Sequence, residues 1–345
     1  MICKNLCAVV LSVVASLPIV AQAAQAGDYT LLNKFALGGE GGWDYLSYDT
    51  GSKRLFIARG SRVQVVDAER GVVTGEIADT PGVHGVALAP DLGKGYSSNG
   101  RDNSVSVFDL ATLKTLAKIS TPGGENPDFI AYDPASKQVL AFNGRSHNAS
   151  IIDASRDQLV TTIKLAGKPE AAVADGRGLV FVDIEDKNEI TVIDTRKNAV
   201  LHHWPLPGCD EPAGLALNAQ TRRLFVGCHN KTLLVVNADT GQTVASLPIG
   251  AGVDANAFDA QTGLLFSSQG DGTLSIIKET SADHFVVQQT AATQRGARTL
   301  ALNPDNHHVY LVSAEFDEIA ASGAEPRPRR VMRPGSFVLL VMGEK

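Results

Sequence analysis

Seven positions, separated by 40, 44, 42, 43, 41 and 44 residues, carry Asp44, His84, Asp128, Glu170, Ala213, Asp254 and Arg298. All but Ala213 are ionisable, in stretches that turn apolar immediately afterwards. Four carboxylates, an imidazole and a guanidinium in one cleft cannot all stay charged unaided, because like charges raise one another's proton affinity. A divalent cation, a cationic ligand, or Arg298 as internal counter-ion would each offset them. Two chemistries follow. In the first, the ring holds a ligand without reacting. In the second, Asp44, Asp128, Glu170 and Asp254 are oxygen ligands of a divalent cation and His84 is a general base. Arg298 then holds a substrate carboxylate or an oxyanion, the outline of a metal-dependent hydrolase, lactonase or lyase. The plain alternative is that these residues only solvate strand ends.

The spacing is that of an internal repeat, and the repeat dictates how the residues are positioned. Clear copies begin at Val83, Asn126 and Glu211, and fainter ones at Trp43, Lys168, Val253 and Ala297. Each holds four short runs rich in Val, Ile, Leu, Phe and Ala with period-two alternation, divided by Asp, Asn, Gly, Ser and Pro. Four antiparallel strands repeated seven times predict an all-β, seven-bladed β-propeller over residues 24–345, whose ring closure removes exposed sheet edges. Residues 29–37 have no repeat of their own, so they are expected to pair with the last run, 336–342, inside one blade. The residues entering each first strand would then ring one mouth of the central channel. The corners between second and third strands add a second ring: Arg59, Asn99 and Arg101, Asn143 and Arg145, Glu185 and Asp186, His229 and Asn230, Gln269 and Asp271. Of these, Asn99, Asn143 and His229 join the carboxylates as candidate ligand-binding residues.

Residues 1–23 read as a secretory signal peptide, with Lys4 before an apolar run from Leu6 to Val20 and Ala21-Gln22-Ala23 spaced for cleavage. This predicts a periplasmic or secreted protein, and no other segment is long and apolar enough to span a bilayer. Two of the 4 Cys lie in the leader, leaving Cys209 and Cys228. A disulfide suits an oxidising compartment; the competing reading is a metal or nucleophile site on Cys228-His229. With 31 Lys plus Arg against 37 Asp plus Glu, a formal charge of −6 and no basic run, nucleic acid is not an expected partner. A small molecule, a peptide or an envelope protein is, and a propeller that closes its own edges needs no second copy, so a monomer is expected. The sequence holds no GxSxG elbow, HExxH helix, CxxC pair, Walker loop or dinucleotide fingerprint.

The stretch Ser104-Val-Ser-Val-Phe-Asp-Leu-Ala-Thr-Leu113 to Asn126-Pro-Asp-Phe-Ile-Ala-Tyr-Asp-Pro134 resembles the YVTN-type repeat of seven-bladed bacterial propellers, in the exported YncE-like group. The resemblance spans essentially the whole chain after the leader. It departs from the consensus at strand ends, where the Tyr-Val-Thr-Asn corner reads Tyr-Ser-Ser-Asn at 96–99 and Phe-Val-Gly-Cys at 225–228. It implies the fold and leaves the activity open, since related propellers include lyases, lactonases and cofactor-binding domains. By the same analogy a redox accessory holding a quinone or haem intermediate would need His84 or His229 as ligand. Residues 315–335, with three Pro and Arg327, Arg329, Arg330 and Arg333, replace the last short corner. They are expected to form a flap over the mouth that meets an acidic ligand, a solvated excursion, or a cover that folds down and neutralises the ring.

Overall fold

The period-two runs become antiparallel strands in the computed structural model, which describes residues 27–319 and 329–345. The signal-peptide reading falls outside the described residues. Seven four-stranded sheets form, each with its strands in chain order except the last. Blade 3 is typical: Pro127–Asp133, Gln138–Asn143, Asn148–Asp153 and Gln158–Lys164. The first strands of the seven blades are Leu46–Asp49, Val83–Ala89, Pro127–Asp133, Pro169–Ala174, Pro212–Asn218, Val253–Asp259 and Leu300–Asn303. That of blade 1 packs against those of blades 2 and 7, which closes the ring. Among the described residues the helices are the short 3-10 turns Pro90–Leu92 and Glu185–Lys187.

A four-stranded sheet has two faces to cover, and each blade covers them with its neighbours. Seven hydrophobic clusters result, one at every junction between blades. Phe142, Ile151, Val180 and Val182 join blades 3 and 4, for example, and Phe225, Val235, Leu265 and Ile277 join blades 5 and 6. Second and third strands are therefore buried on both faces, while outer strands such as Val72–Ile77 are exposed along most of their length. On the face away from the mouth, polar contacts tie consecutive blades: Tyr96 Oη donates to Asp157 at 2.9 Å, Thr195 Oγ1 to Asp133 at 2.7 Å, and Arg222 Nη1 lies 3.1 Å from Asp175.

Blade 7 closes as the sequence predicts. Tyr29–Ala36 is its outermost strand and pairs antiparallel with Val338–Glu344, from Tyr29 opposite Glu344 to Ala36 opposite Val338. Cutting the chain after Leu340 removes the pairs made by Val341, Met342, Gly343 and Glu344, and with them two fully buried side chains, Val341 and Met342. Burial of such side chains contributes about 1.5–3 kcal/mol each. This truncation is expected to cost about 3–6 kcal/mol in urea unfolding, whereas removing the exposed Lys345 alone should leave the midpoint unchanged.

Candidate functional site

The ring residues owe their direction to a recurring break in the ladder. The pairing of first with second strand shifts register between Val83 and Val86, Pro127 and Ile130, Pro169 and Ala172, Pro212 and Gly214, and Val253 and Ala255. These bulges hold His84, Asp128, Glu170, Ala213 and Asp254. A bulge leaves its extra residue unpaired and re-aims the side chain, here toward the channel. The freed backbone groups are met from the second strand: Ser98 Oγ accepts from Gly85 N at 3.0 Å, and Asp183 Oδ1 accepts from Ala171 N at 2.6 Å. Two residues before the ring position the chain turns through left-handed backbone in five blades, at Gly82, Asn126, Glu211, Gly252 and Gly296. Backbone bonds then tie the entering loop to the corner between second and third strands, as from Gly100 N to Gly82 O at 2.9 Å and Gly144 N to Asn126 O at 3.0 Å. Both predicted rings therefore share one face.

The structure brings part of the first ring into contact. His84 Nδ1 lies 2.7 Å from Asp44 Oδ2 and 3.5 Å from Asp128 Oδ1, and one donor atom from each of the three falls within 4.8 Å of the others. Glu170 accepts from Tyr45 Oη at 3.3 Å and sits 3.1 Å from Lys168 Nζ, which also pairs with Glu185. Asp254 faces Arg298 Nε at 3.1 Å, so Arg298 is a counter-ion to one ring member rather than to all. The four carboxylates expected as one ligand set are thus divided among three partners. Below the ring the channel holds a cavity of about 150 Å³, lined by Tyr45, Ser47, Phe129, Leu215, Asp254 and Asn256 among others.

Burial dominates the electrostatics. It pushes Asp128 up to about 6, with Asp44 adding to the effect and His84 opposing it. Burial likewise raises Glu170 to about 7, helped by the charge of Asp128, and Asp254 to about 7 against the pull of Arg298. Asp183, fully enclosed behind the ring, is raised well above the usual carboxylate range, first by burial. His84 has the opposite balance: burial lowers it, but the bond to Asp44 and the charges of Asp128, Asp44 and Glu170 overcome this and raise it. The two flanking carboxylates thus favour the protonated imidazole of His84, the form opposite to the one a general base needs.

The second ring needs larger corrections. Asn99 and Asn143 do not face the opening. Both are fully buried, with Asn99 Nδ2 donating to Ser104 and Ser106 and Asn143 Nδ2 to Asn148 and Ser150, all within 3.0 Å. They fasten the blade corner, as Gln269 does with Thr273 and Ser275. Arg59 is also buried, its guanidinium 3.5 Å over the Phe337 ring and its Nη2 donating to Glu40 O at 2.9 Å. His229 remains accessible on an acidic rim, 3.0 Å from Glu211 and beside Glu185, Asp186 and Asp210. Cys209 and Cys228 form the disulfide, which fits an oxidising compartment and removes the Cys228-His229 metal or nucleophile reading. Sequence reasoning missed Tyr45, Lys168 and Asp183. Lys168 and Asp183 stand near Glu170 in the chain, yet nothing in their spacing separates them from ordinary strand-end residues.

The last corner is no unstructured flap at its base. Phe316–Ile319 and Arg329–Met332 pair as a two-stranded hairpin, and Trp43 packs between Phe316 and Phe337. Arg333 turns back to Glu315 and Asp317 of the hairpin and does not neutralise the ring. Arg327 lies outside the described residues.

No protein-family model matches the chain, and no curated protein matches it by sequence. Solved structures do. A chain in a crystal structure of a mitotic checkpoint complex superposes with a TM-score of 0.73 at 16% identity, over 99% of this chain and 98% of that one. Hydrazine synthase of Kuenenia stuttgartiensis gives 0.69 at 16% identity, over 86% of this chain and 97% of that one. The chain is a seven-bladed β-propeller. At that identity the likeness concerns fold alone, and the YVTN resemblance gains no sequence support from it.

Two expectations follow. Asp128, Glu170 and Asp254 have folded-state values above the roughly 4 of an unfolded carboxyl, so between about pH 4 and 7 the folded chain binds the extra protons and these groups lose stability as pH rises. His84, raised, has the same sign, since its contribution is complete below its unfolded value and lost as pH rises through the folded one. Glu170→Gln should therefore melt close to the parent at pH 5 and about 2–4 °C higher at pH 8; a difference that does not grow with pH would contradict the assignment. Separately, the disulfide closes a separation of 19 residues. Its loss in the double variant Cys209→Ser/Cys228→Ser should cost about 3 kcal/mol, read by urea unfolding of the oxidised parent and the variant.

Proposed function

We propose that the protein is an exported binding propeller that takes a small cationic ligand, or a basic segment of a peptide or envelope protein, at the mouth ringed by Asp44, His84, Asp128, Glu170 and Asp254. The convergence of these side chains from different blades, above a cavity that includes Asp254, carries the reading. Rigid blades hold the ring, and the two cations paired with it, Lys168 and Arg298, are fewer than its carboxylates, to which Glu185 adds another. Above about pH 7 the mouth is a negative funnel on a chain already negative overall, which raises the local concentration of cations. The resemblance to exported YVTN-repeat propellers and the disulfide support the compartment, and the leader of residues 1–23 is part of the same proposal.

A second reading, a divalent-metal-dependent hydrolase, lactonase or lyase, draws on one observation, the mutual approach of Asp44, His84 and Asp128. The residues fit a cation only in part. Two carboxylate oxygens and an imidazole nitrogen are an adequate donor set, but His84 Nδ1 already stands at hydrogen-bond distance from Asp44, so a metal would have to displace a proton. When bound, the metal would supply Lewis acidity; His84 would give up its Nδ1 proton, and Arg298 would orient an acidic substrate.

Calorimetric titration at pH 8 with 1,4-diaminobutane and, in turn, Ca²⁺, Mg²⁺, Mn²⁺ and Zn²⁺ separates the readings. The binding reading expects the diamine to bind and Asp128→Asn/Glu170→Gln to weaken it at least about tenfold. One tightly held divalent ion with proton release, and no diamine binding, would put the metal reading ahead. Binding of neither would overturn both.

A further inference from the structure

Beside the acidic ring the same mouth carries a pocket of the opposite character. It has a volume of about 380 Å³ and lies between the entry to blade 7, the loop entering blade 1 and the paired strands Phe316–Ile319 and Arg329–Met332. Arg295, Arg298 and Arg330 line it, together with Trp43 and Phe316. The three arginines come from two places: Arg295 and Arg298 from the stretch before the first strand of blade 7, Arg330 from the second strand of the hairpin. Three positive groups at one pocket is an unexpected density in a chain of formal charge −6.

Their ion pairs offset only part of this charge. Arg298 commits its Nε to Asp254 at 3.1 Å. Arg330 lies over the Phe316 ring at 4.6 Å, so it presents a flat cation stacked on an aromatic wall. Arg295 makes no ion pair among the described residues and is exposed. Arg333 is held by Glu315 and Asp317 on the hairpin itself. Two acids adjoin: Asp254, on Arg298, and Glu318, opposite Arg330 in the hairpin ladder. The aromatic wall is fixed from behind, since Trp43 packs against Phe337 at 5.4 Å and Phe316 at 6.0 Å, and Phe337 is fully buried.

We propose that this pocket, formed by Trp43, Phe316, Arg295, Arg298 and Arg330, binds a small organic anion with a flat apolar body, an aromatic carboxylate in chemical class. Guanidinium forks recognise carboxylates in the plane of both groups, and aromatic faces accept the ring that a fully polar anion lacks. The volume suits one such molecule and is at the small end for ligand sites. Such a site lies beside the acidic ring and shares with it only the Asp254–Arg298 pair.

The protein carries its own reporter. Of its 2 Trp, Trp43 is in the pocket wall, while Trp204 stacks on Phe181 in the outer strand of blade 4. In the variant Trp204→Phe, emission of Trp43 is followed during titration with benzoate, with acetate as an anion lacking the ring and benzyl alcohol as a ring lacking the charge. The proposal expects a saturable change with benzoate, and binding at least about tenfold weaker for both analogues. It also expects a similar loss when Arg295→Ala and Arg330→Ala are combined, with an unaltered melting temperature showing that the blades are intact. Absence of a saturable benzoate response, confirmed by calorimetry, would overturn it. So would equal binding of benzyl alcohol or acetate, or benzoate binding undiminished in the double arginine variant.

Discussion

No blade of this protein can stand alone. Each sheet buries one face on the blade before it and one on the blade after it, so every cluster of the core belongs to two blades at once. Stability is then a property of the closed circle, and closure rests on the pairing of residues 29–36 with 338–344. Blade 7 takes its outer strand from the beginning of the chain and its other three from the end, so the ladder hydrogen bonds that finish this blade also join the two ends of the polypeptide. The polar ties under the ring, such as Thr195 to Asp133, repeat the same neighbour-to-neighbour logic in hydrogen bonds.

On that rigid circle the working surface is made by small departures from regularity. The bulges at the start of the inner strands lift one residue per blade out of the ladder and aim it at the channel, and the left-handed corners before them bring the entering loops close to the adjoining strand corners. Burial then does what sequence alone would not suggest: it brings Asp128, Glu170 and Asp254 into the range where a carboxyl changes charge near neutrality. The mouth is divided, acidic from Asp44 round to Asp254 and basic from Arg298 to the hairpin, with the Asp254–Arg298 pair at the boundary.

The architecture was legible because a repeat multiplies a weak signal. One run such as Ser104–Asp109 says little, but seven sets of four at a nearly constant spacing admit few folds, and the unmatched runs at 29–37 and 336–342 indicate how the circle closes. The ring positions were legible for the same reason, since the spacing that identifies one identifies all. What the spacing could not convey is direction. Asn99 and Glu170 both sit at strand ends in polar surroundings, yet one is turned inward to Ser104 and Ser106 while the other lines the mouth. That choice depends on where a bulge falls. Nor could it show partners drawn from different units: Tyr45 with Glu170, or Lys168 between Glu170 and Glu185, are meetings of three dimensions.

The closing strand pair has a consequence for how this molecule can be presented to others. Tyr29 stands opposite Glu344, and the Tyr29 hydroxyl donates to the carbonyl of His307, a residue of the turn on the side away from the mouth. Both ends of the described chain therefore emerge together from the rear of the same blade. A linker or solid support joined to this strand pair beside Tyr29 and Glu344 would hold the blades by their back, with both the acidic and the basic halves of the mouth facing outward into solution.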